Sequence, residues 1–155
     1  MLRPLQKADV NRLLELWLHL ACNSHPSLPP RFWNEGKRDI RRQLLVALRR
    51  GRWGEPAVTH WVYTLPGSDI AEGLVTITGD GQVEALFVSP SAQRRGVGSA
   101  LINQAKFGKL QLQTAVLEEN LGGRYFLQQH GFVEVSRHYR QAANQDELVM
   151  RCRIA

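Results

Sequence analysis

The sequence predicts an α+β fold, in which helices and a mostly antiparallel sheet form one domain. Apolar residues first recur at helical spacing and then, from Val58, follow the pattern of strands. Three neighbouring strand patterns are joined by short turns, which is typical of an antiparallel meander. The chain has 155 residues, within the roughly 100–200 residues of one domain. We therefore expect a single domain over residues 1–155.

Two helices are predicted in the first third of the chain. Asp9 is a candidate N-cap for a helix with one apolar stripe, followed by the proline-rich loop 23–30. A second helix, with its arginines mostly outward, is expected to end near Gly51. The predicted inward residues are Val10, Leu13, Leu14, Trp17, Leu20 and Ala21 in the first helix, and Trp33, Ile40, Leu44, Ala47 and Leu48 in the second.

The rest of the chain predicts strands and two further helices. Pro66-Gly67-Ser68-Asp69 and Gly79-Asp80-Gly81 are the turn signals of the meander, and Gly108 is a helix stop. The predicted strands are 58–64, 71–78, 82–88, 110–117, 132–138 and 147–154, and the predicted helices are 96–107 and 121–130. This order gives an α+β, or mixed α/β, domain.

The composition excludes several classes of protein. It is ordinary for a globular domain, with 43% hydrophobic and 22% charged residues. Two cysteines, Cys22 and Cys152, are too few for a disulfide framework, which favours a reducing compartment. The longest apolar run, Leu44–Leu48, is far shorter than the roughly 20 residues that a bilayer requires. We expect a cytoplasmic protein with no membrane partner.

The positive charge is concentrated in one segment. The net charge is +6, and residues 31–52 contain eight basic residues against Glu35 and Asp39. Such a patch attracts acidic partners. No nucleic-acid-binding motif accompanies the patch, so nucleic acid is not the expected partner. A basic nucleic-acid-binding domain is kept as an alternative function.

A glycine-rich loop follows the third strand of the meander. Pro90 marks a turn after Val88, and Gly96 and Gly98 open the next helix. Backbone N–H groups at a helix start bind phosphate, and Arg94 and Arg95 add positive charge. A nucleotide P-loop is excluded because no Gly-Lys-Ser/Thr follows. A dinucleotide fingerprint lacks its third glycine, and glycines that serve only a tight turn are the structural alternative.

The loop and a second motif resemble a known family. Gln93-Arg94-Arg95-Gly96-Val97-Gly98 resembles the coenzyme A signature of the GNAT N-acetyltransferases. Asn120-x-x-Gly123-x-x-Phe126, followed by Gly131-Phe132, is similar to that family's second motif. The resemblance implies a GNAT-like fold: a central, mostly antiparallel sheet of about seven strands flanked by four helices, with a splayed strand pair that holds acyl-CoA.

The resemblance also implies the binding mode of acetyl-CoA, the expected co-substrate. The pantetheine arm would pair with strand residues Leu86–Val88, and the N–H of Val88 would face the thioester oxygen. The pyrophosphate would lie on backbone N–H groups from Arg94 to Ser99, and Asn120 would bond the arm from the other side. The implied binding residues are Leu86, Phe87, Val88, Gln93, Arg94, Arg95, Gly96, Val97, Gly98, Ser99, Asn120, Gly123 and Phe126.

Two candidate catalytic residues follow from the same comparison. Glu84 is predicted to accept a proton through water, since the two-residue period of a strand puts it on the face of Leu86 and Val88. A solvated strand carboxylate is the alternative, and Glu118 and Glu119 are further candidate bases. The family's general-acid tyrosine corresponds to Leu127 here. Tyr125 is the nearest phenol, but about 200° around the helix from that position.

The acceptor side is less defined. His25 and Trp33 are candidate substrate-binding residues, with a structural role for His25 as the alternative. No histidine pair has metal-ligand spacing, so no metal is predicted. The predicted function is transfer of an acetyl group from acetyl-CoA to a primary amine, on a protein lysine, an N-terminus or a small molecule, by a monomer or homodimer. An acidic acceptor molecule is a further candidate partner. A catalytically weak sensor of coenzyme A or a nucleotide is the alternative function.

Overall fold

The computed structural model describes residues 1–49 and 58–154. Its helices are α1 (Val10–Ser24), α2 (Asn34–Arg49), α3 (Val97–Lys106) and α4 (Leu121–Gln129). Its strands are β1 (Leu2–Pro4), β2 (Val58–Tyr63), β3 (Gly73–Thr78), β4 (Val83–Val88), β5 (Gln111–Leu117), β6 (Val133–Arg140) and β7 (Gln145–Arg153). The predicted end of the second helix near Gly51, together with Arg50 and Arg52 of the basic segment, lies outside the described residues.

The seven strands form two antiparallel sheets. The first has the order β1-β2-β3-β4 and the second the order β5-β7-β6. β4 and β5 lie side by side and run in parallel, with one bridge between Gln82 and Gln113. The Thr114 hydroxyl donates to the Val83 carbonyl over 2.9 Å just beyond it. The strands separate after that point, so the predicted α+β fold and its splayed strand pair are confirmed.

Two apolar cores lie on opposite faces of the first sheet. Alternate residues of β3 separate them, because Leu74 joins one core and Val75 the other. α1 and α2 cover the Leu74 side through residues such as Leu13 and Leu44. α3 covers the Val75 side, and that core continues beneath the second sheet. The sheet is therefore held rigidly between two helical layers.

A bulge in β4 interrupts its regular alternation. Thr76 of β3 pairs with Ala85, and Ile77 pairs with Val83, so that Glu84 is the extra residue. Val83 consequently lies on the same side as Leu86 and Val88, although Leu86 is three positions after Val83, an odd number. Ala85 and Phe87 face the core beneath α1 and α2. The bulge shifts the side-chain pattern immediately before the splayed end of β4.

Two details at the N-terminus differ from the sequence-based prediction. Leu2–Pro4 forms an edge strand, paired with Trp61–Tyr63 of β2. Asp9 occupies the N-cap position of α1 but makes no side-chain bond to that helix. Its carboxylate instead accepts hydrogen bonds from both terminal nitrogens of Arg3, each at 2.8 Å, and from the Gln6 N–H. Asp9 thus anchors β1, and the resulting ion pair raises the pKa of Arg3.

No helix among residues 1–49 and 58–154 is both long and apolar enough to cross a bilayer.

Candidate functional site

The splayed strands open a cleft of about 870 Å³. β4 and β5 form its floor, and α1, the loop after α1, α3 and α4 form its walls. We call the part formed by Leu86–Gly98 the α3 end, and the part formed by Trp17, His25 and Trp33 the aromatic end. The sequence-predicted residues that line the cleft are His25, Trp33, Glu84, Leu86, Phe87, Val88, Gln93, Arg94, Gly98, Asn120, Gly123 and Phe126.

The β4 edge presents free backbone groups to the cleft. Ser89 N–H donates to the Glu72 carbonyl over 2.7 Å, which fixes the phase of the ladder to β3. Since backbone groups of an antiparallel strand alternate between its two sides, Phe87 faces β3, whereas Leu86 and Val88 face the cleft. Leu86 and Val88 can therefore pair with an extended ligand, and Phe87 contributes its side chain alone. This corrects the expectation that all three residues offer their backbone.

The loop before α3 forms a concave set of N–H groups. Arg94 and Gly96 both adopt left-handed backbone conformations, with φ of 64° and 77°. Gly96 is the N-cap of α3 and carries no side chain to satisfy the first helical turn. The first helical bond is donated by Ala100 to the Gly96 carbonyl, so the N–H groups of Val97, Gly98 and Ser99 have no partner within the helix. Such groups suit a phosphate.

Charge and orientation in this loop agree with an anionic ligand. Arg94 and Arg95 are exposed, and neither forms an ion pair with a carboxylate of the described residues. The Gln93 amide donates to the Val88 carbonyl over 3.1 Å, which ties the loop to β4. The side chain of Val97 is buried in the core, so only its backbone can meet a ligand.

Gly98 is required for packing as well as for access. A Cβ at this position would lie 2.8 Å from Cε2 of Phe126 on α4. The Phe126 ring therefore rests directly on the first turn of α3. Gly98 was predicted only as an acetyl-CoA-binding residue, whereas the structure shows that it also lets α4 pack against α3.

Asn120 has a role in the chain itself. It is the N-cap of α4, and its Oδ1 accepts a hydrogen bond from Gly123 N–H over 3.0 Å. A Cβ on Gly123 would lie 2.6 Å from the Asn120 amide nitrogen, so the glycine makes room for the cap. The oxygen of Asn120 is thus engaged, and its amide N–H groups are what it can offer to a ligand.

A buried carboxylate holds the start of the glycine-rich loop. Glu72 precedes β3, and its Oε2 accepts hydrogen bonds from the hydroxyls of Ser89 and of Ser91, the latter over 3.1 Å. Arg12 of α1 reaches its other oxygen over 3.3 Å. Sequence reasoning missed Glu72, because its partners come from segments far apart in the chain.

Glu84 lines the cleft but does not share a face with Leu86 and Val88. Its carboxylate accepts a hydrogen bond from the Gln43 amide of α2 over 3.0 Å, which places it on the α2 side of the sheet. The bulge is the physical reason, because the two-residue period fails at an extra residue. Glu84 is exposed, so a ligand or water can reach it.

Tyr125 is not brought into the cleft. Its side chain is exposed, and its hydroxyl accepts a hydrogen bond from the Gln129 amide one helical turn away. Leu127 is buried and lines the cleft in its place. The predicted catalytic role of Tyr125 therefore has no geometric support, and the cleft wall at the family's tyrosine position is aliphatic.

Aromatic rings form the other end of the cleft. Trp33 packs edge-on against Trp17 at 5.8 Å and against Phe32 at 4.8 Å, and the His25 ring lies 4.7 Å from it. His25 Nδ1 donates to the Ala21 carbonyl over 2.7 Å. The Trp33 indole N–H is buried without a hydrogen-bond partner in the described part of the chain, as expected where a ligand would complete the site.

Trp17 and Glu119 also line the cleft. Sequence reasoning assigned Trp17 to the core. A glycine inside α2 was the available signal, because a Cβ on Gly36 would lie 3.0 Å from the Trp17 ring. The arginines of α2 do not line the cleft, whereas the carboxylates of Glu84 and Glu119 do.

Within the described ranges, no group of three or more histidine, cysteine or acidic side chains is arranged to hold a metal ion.

Comparison with known proteins agrees with this geometry. The family model for the acetyltransferase (GNAT) domain matches residues 56–134. The chain is 29% identical over 147 residues to the peptidyl-lysine N-acetyltransferase YiaC of Escherichia coli, covering 95% of this chain and 89% of that protein.

Two solved structures share the fold. The apo-form of YjaB from Escherichia coli has a TM-score of 0.77 at 22% identity, with 97% of this chain and 95% of that chain covered. The PaiA N-acetyltransferase of Thermoplasma acidophilum, solved in complex with coenzyme A, has a TM-score of 0.75 at 14% identity, with coverages of 99% and 98%. The matched segment contains β4, the glycine-rich loop, α3 and α4, which are the elements that build the α3 end of the cleft. This chain belongs to the GNAT acetyltransferase family and is an acyl-CoA-dependent acetyltransferase.

Proposed function

We propose that this enzyme transfers an acetyl group from acetyl-CoA to a primary amine by direct attack within a ternary complex. The single observation that carries the proposal is the continuity of the cleft. One end offers phosphate-binding N–H groups, the middle offers the free edge of β4, and the other end is an aromatic pocket with nearby carboxylates.

The α3 end offers the kinds of group that acetyl-CoA requires. The N–H groups of Val97–Ser99 would hold the pyrophosphate, with Arg94 and Arg95 adding charge. Leu86 and Val88 would pair with the pantetheine arm as an added strand does. The Val88 N–H would then stabilise negative charge on the thioester oxygen during transfer, and the Asn120 amide would donate to the arm.

A cationic amine is the acceptor that best suits the aromatic end. Glu84 and Glu119 line the same cleft as Trp17 and Trp33, whose rings are of the kind that attracts cations. A lysine side chain combines an apolar stem with a terminal ammonium, so it matches both features. The similarity to a peptidyl-lysine N-acetyltransferase supports the same substrate class.

Glu84 is proposed to draw the ammonium group of the acceptor toward the thioester by its negative charge. Its bond to Gln43 fixes the carboxylate on the α2 side. The aliphatic wall at Leu127 means that sulfur departs without a phenol, which is feasible because a thiolate is a far better leaving group than an alkoxide.

The test is acetyl-CoA turnover over a panel of lysine peptides, peptides with free N-termini, polyamines and acidic amines, with CoA binding measured by calorimetry. We expect CoA binding and fastest turnover on lysine peptides. Absence of CoA binding would contradict the proposal at its base. Binding without turnover on any amine would favour the second candidate, a CoA sensor, to which the aliphatic Leu127 wall points.

A further inference from the structure

We propose that His25 is the general base that takes a proton directly from the acceptor amine. This inference rests on the proposed function and assigns a new role within the same site. It goes beyond substrate binding, because it makes one nitrogen of one side chain part of the reaction.

The orientation of the imidazole carries the argument. Nδ1 lies 2.7 Å from the Ala21 carbonyl, and since a carbonyl only accepts, Nδ1 carries the hydrogen. In the neutral ring this leaves a lone pair on Nε2. Nε2 has no partner among the described residues and, unlike Nε2 of His60, is not a buried atom. As His25 lines the cleft, this lone pair is available to a ligand there.

Comparison with His60 shows that this arrangement is specific. The two histidines are equally buried, at 7% and 8% exposure, and each is anchored through Nδ1. His60 Nε2 is enclosed in the sheet, where it can reach no substrate. Only His25 combines a fixed ring with a nitrogen that a substrate in this cleft can approach.

The ring is also held in place by its neighbours. Trp33 packs against it at 4.7 Å, and the backbone N–H of Ser27, two residues on, is tied to Glu119 over 3.3 Å. A base fixed in this way loses little freedom when the amine binds. Imidazole, as a class of base, is about two pKa units stronger than a carboxylate, which favours direct proton removal from an ammonium group.

Few charged side chains lie in the cleft around His25. The elements around it contribute Glu119 from the end of β5 and Glu84 from β4 to the cleft, and Arg94 lies at the far end. Glu118 and Asp146 are paired with Arg137, and Arg140 lies over the Phe32 ring. The remaining charged or titratable side chains of α1 and the turn before α2 lie outside the cleft lining, and they are Arg12, Glu15, His19, Cys22 and Arg31.

The proton balance is complete without another reactant. The ammonium loses one proton to His25 Nε2, the freed nitrogen forms a bond to the acetyl carbon, and the carbon–sulfur bond breaks with its electron pair on sulfur. Of the three ammonium protons, one stays on the amide, one ends on the sulfur of coenzyme A, and one passes from His25 to water.

The decisive variant is His25→Asn. The asparagine amide can still donate to the Ala21 carbonyl from near the Nδ1 position but provides no base. We expect kcat on a lysine peptide to fall about 100-fold or more. The acidic limb of the pH profile of kcat/KM should disappear, and added imidazole should raise the rate of the variant at least tenfold. Affinity for CoA, measured by calorimetry, should stay within twofold. The control His19→Asn changes an exposed histidine of α1, the helix that ends just before His25, and should leave the rate unchanged.

Stability must be followed at each pH. Burial lowers the pKa of His60 to about 4 from its ordinary value of 6.5. The unfolded chain therefore binds more protons between these values, and the free energy of unfolding falls as pH decreases from about 6.5 toward 4. Melting curves separate this loss of folded protein from loss of the base.

A second measurement does not depend on turnover or on the variant. Nitrogen-15 NMR of the free enzyme should show His25 as the Nδ1–H tautomer, and the Nε2–H tautomer would overturn the proposal. A folded, CoA-binding His25→Asn enzyme within threefold of the wild-type rate would also overturn it, while leaving the proposed function intact. A wild-type enzyme that binds CoA and acetylates no amine would overturn both.

Discussion

The α3 end of the cleft is made of backbone, whereas the aromatic end is made of side chains. At the α3 end, Val97–Ser99 and the edge of β4 offer N–H groups whose positions follow from regular secondary structure. At the aromatic end, Trp17, His25 and Trp33 meet from separate segments. The difference teaches that binding of a common co-substrate can be encoded by a short motif, while selection of the acceptor depends on tertiary packing.

The largest expected effect comes from breaking the α3 end. Gly98→Val should weaken acetyl-CoA binding at least tenfold, about 1.4 kcal/mol, because a side chain there displaces Phe126 and the first turn of α3. Calorimetry with acetyl-CoA measures this, alongside a melting curve. Gly79→Ala is the control, since a Cβ on Gly79 meets no atom within 4 Å. Unchanged affinity in a folded Gly98→Val protein would show that backbone access there is dispensable.

A change at Leu127, in the wall of the cleft, tests how the sulfur of coenzyme A departs. Leu127→Tyr places a phenol where the cleft wall is aliphatic and should raise kcat about tenfold by supplying a proton. Leu127 is also part of the buried core, so overpacking costs about 1–3 kcal/mol of stability.

Leu127→Phe is the matched control for that variant, because it adds the ring without the hydroxyl. If the tyrosine and phenylalanine enzymes turn over at the same rate, departure of the sulfur does not limit the reaction.

Breaking the aromatic end should affect only the acceptor. Trp33→Leu removes the ring that contacts His25 and Trp17, and we expect KM for a lysine peptide to rise about fivefold, or roughly 1 kcal/mol. KM for acetyl-CoA should change less than twofold, and Trp33→Phe should retain most of the acceptor affinity. Equal losses for both substrates would mean that the two ends are not independent.

The smallest effect is expected from the arginines of α2 that lie outside the cleft lining. Arg38 and Arg42 are exposed on α2 and do not line the cleft, so the double change to glutamine should alter acceptor KM less than twofold. Exposed charges contribute about 0–1 kcal/mol each. Initial rates at several salt concentrations measure this, and a large, salt-sensitive loss on an acidic acceptor would restore the steering role predicted from composition.

The fold and the α3 end were predictable from local patterns. The periods of 3.6 and 2 residues predicted all the longer elements, and the spacing of Gly96 and Gly98 after Val88 located the glycine-rich loop that begins α3. Leu127 at the family's tyrosine position was also visible in the sequence, since it lies four residues before Gly131-Phe132 in the segment that resembles the family's second motif.

The remaining features depend on contacts that no local pattern encodes. The prediction that Glu84 shares a face with Leu86 and Val88 was wrong, because a single extra residue shifts the two-residue period of β4. Glu72 draws partners from α1 and from the loop after β4, so its role arises only when those segments meet. Trp17 has the same spacing in the sequence as a core residue, and only the packing of α2 directs it to the cleft.

The bulge at Glu84 shifts the alternation of β4 by one residue, much as an inserted base shifts a reading frame. Before the bulge, the odd-numbered Val83 packs into the core beneath α3. After it, the even-numbered Leu86 and Val88 pack into that same core. If the same sequence ran in regular alternation from Val83 without the bulge, the strand would deliver its downstream side chains to the wrong cores and direct the Leu86 and Val88 backbone groups toward β3 instead of the cleft. Substitutions along β4 are therefore local events, whereas loss of the bulge at unchanged length would exchange the residues of both cores and turn the cleft-facing edge of β4 together.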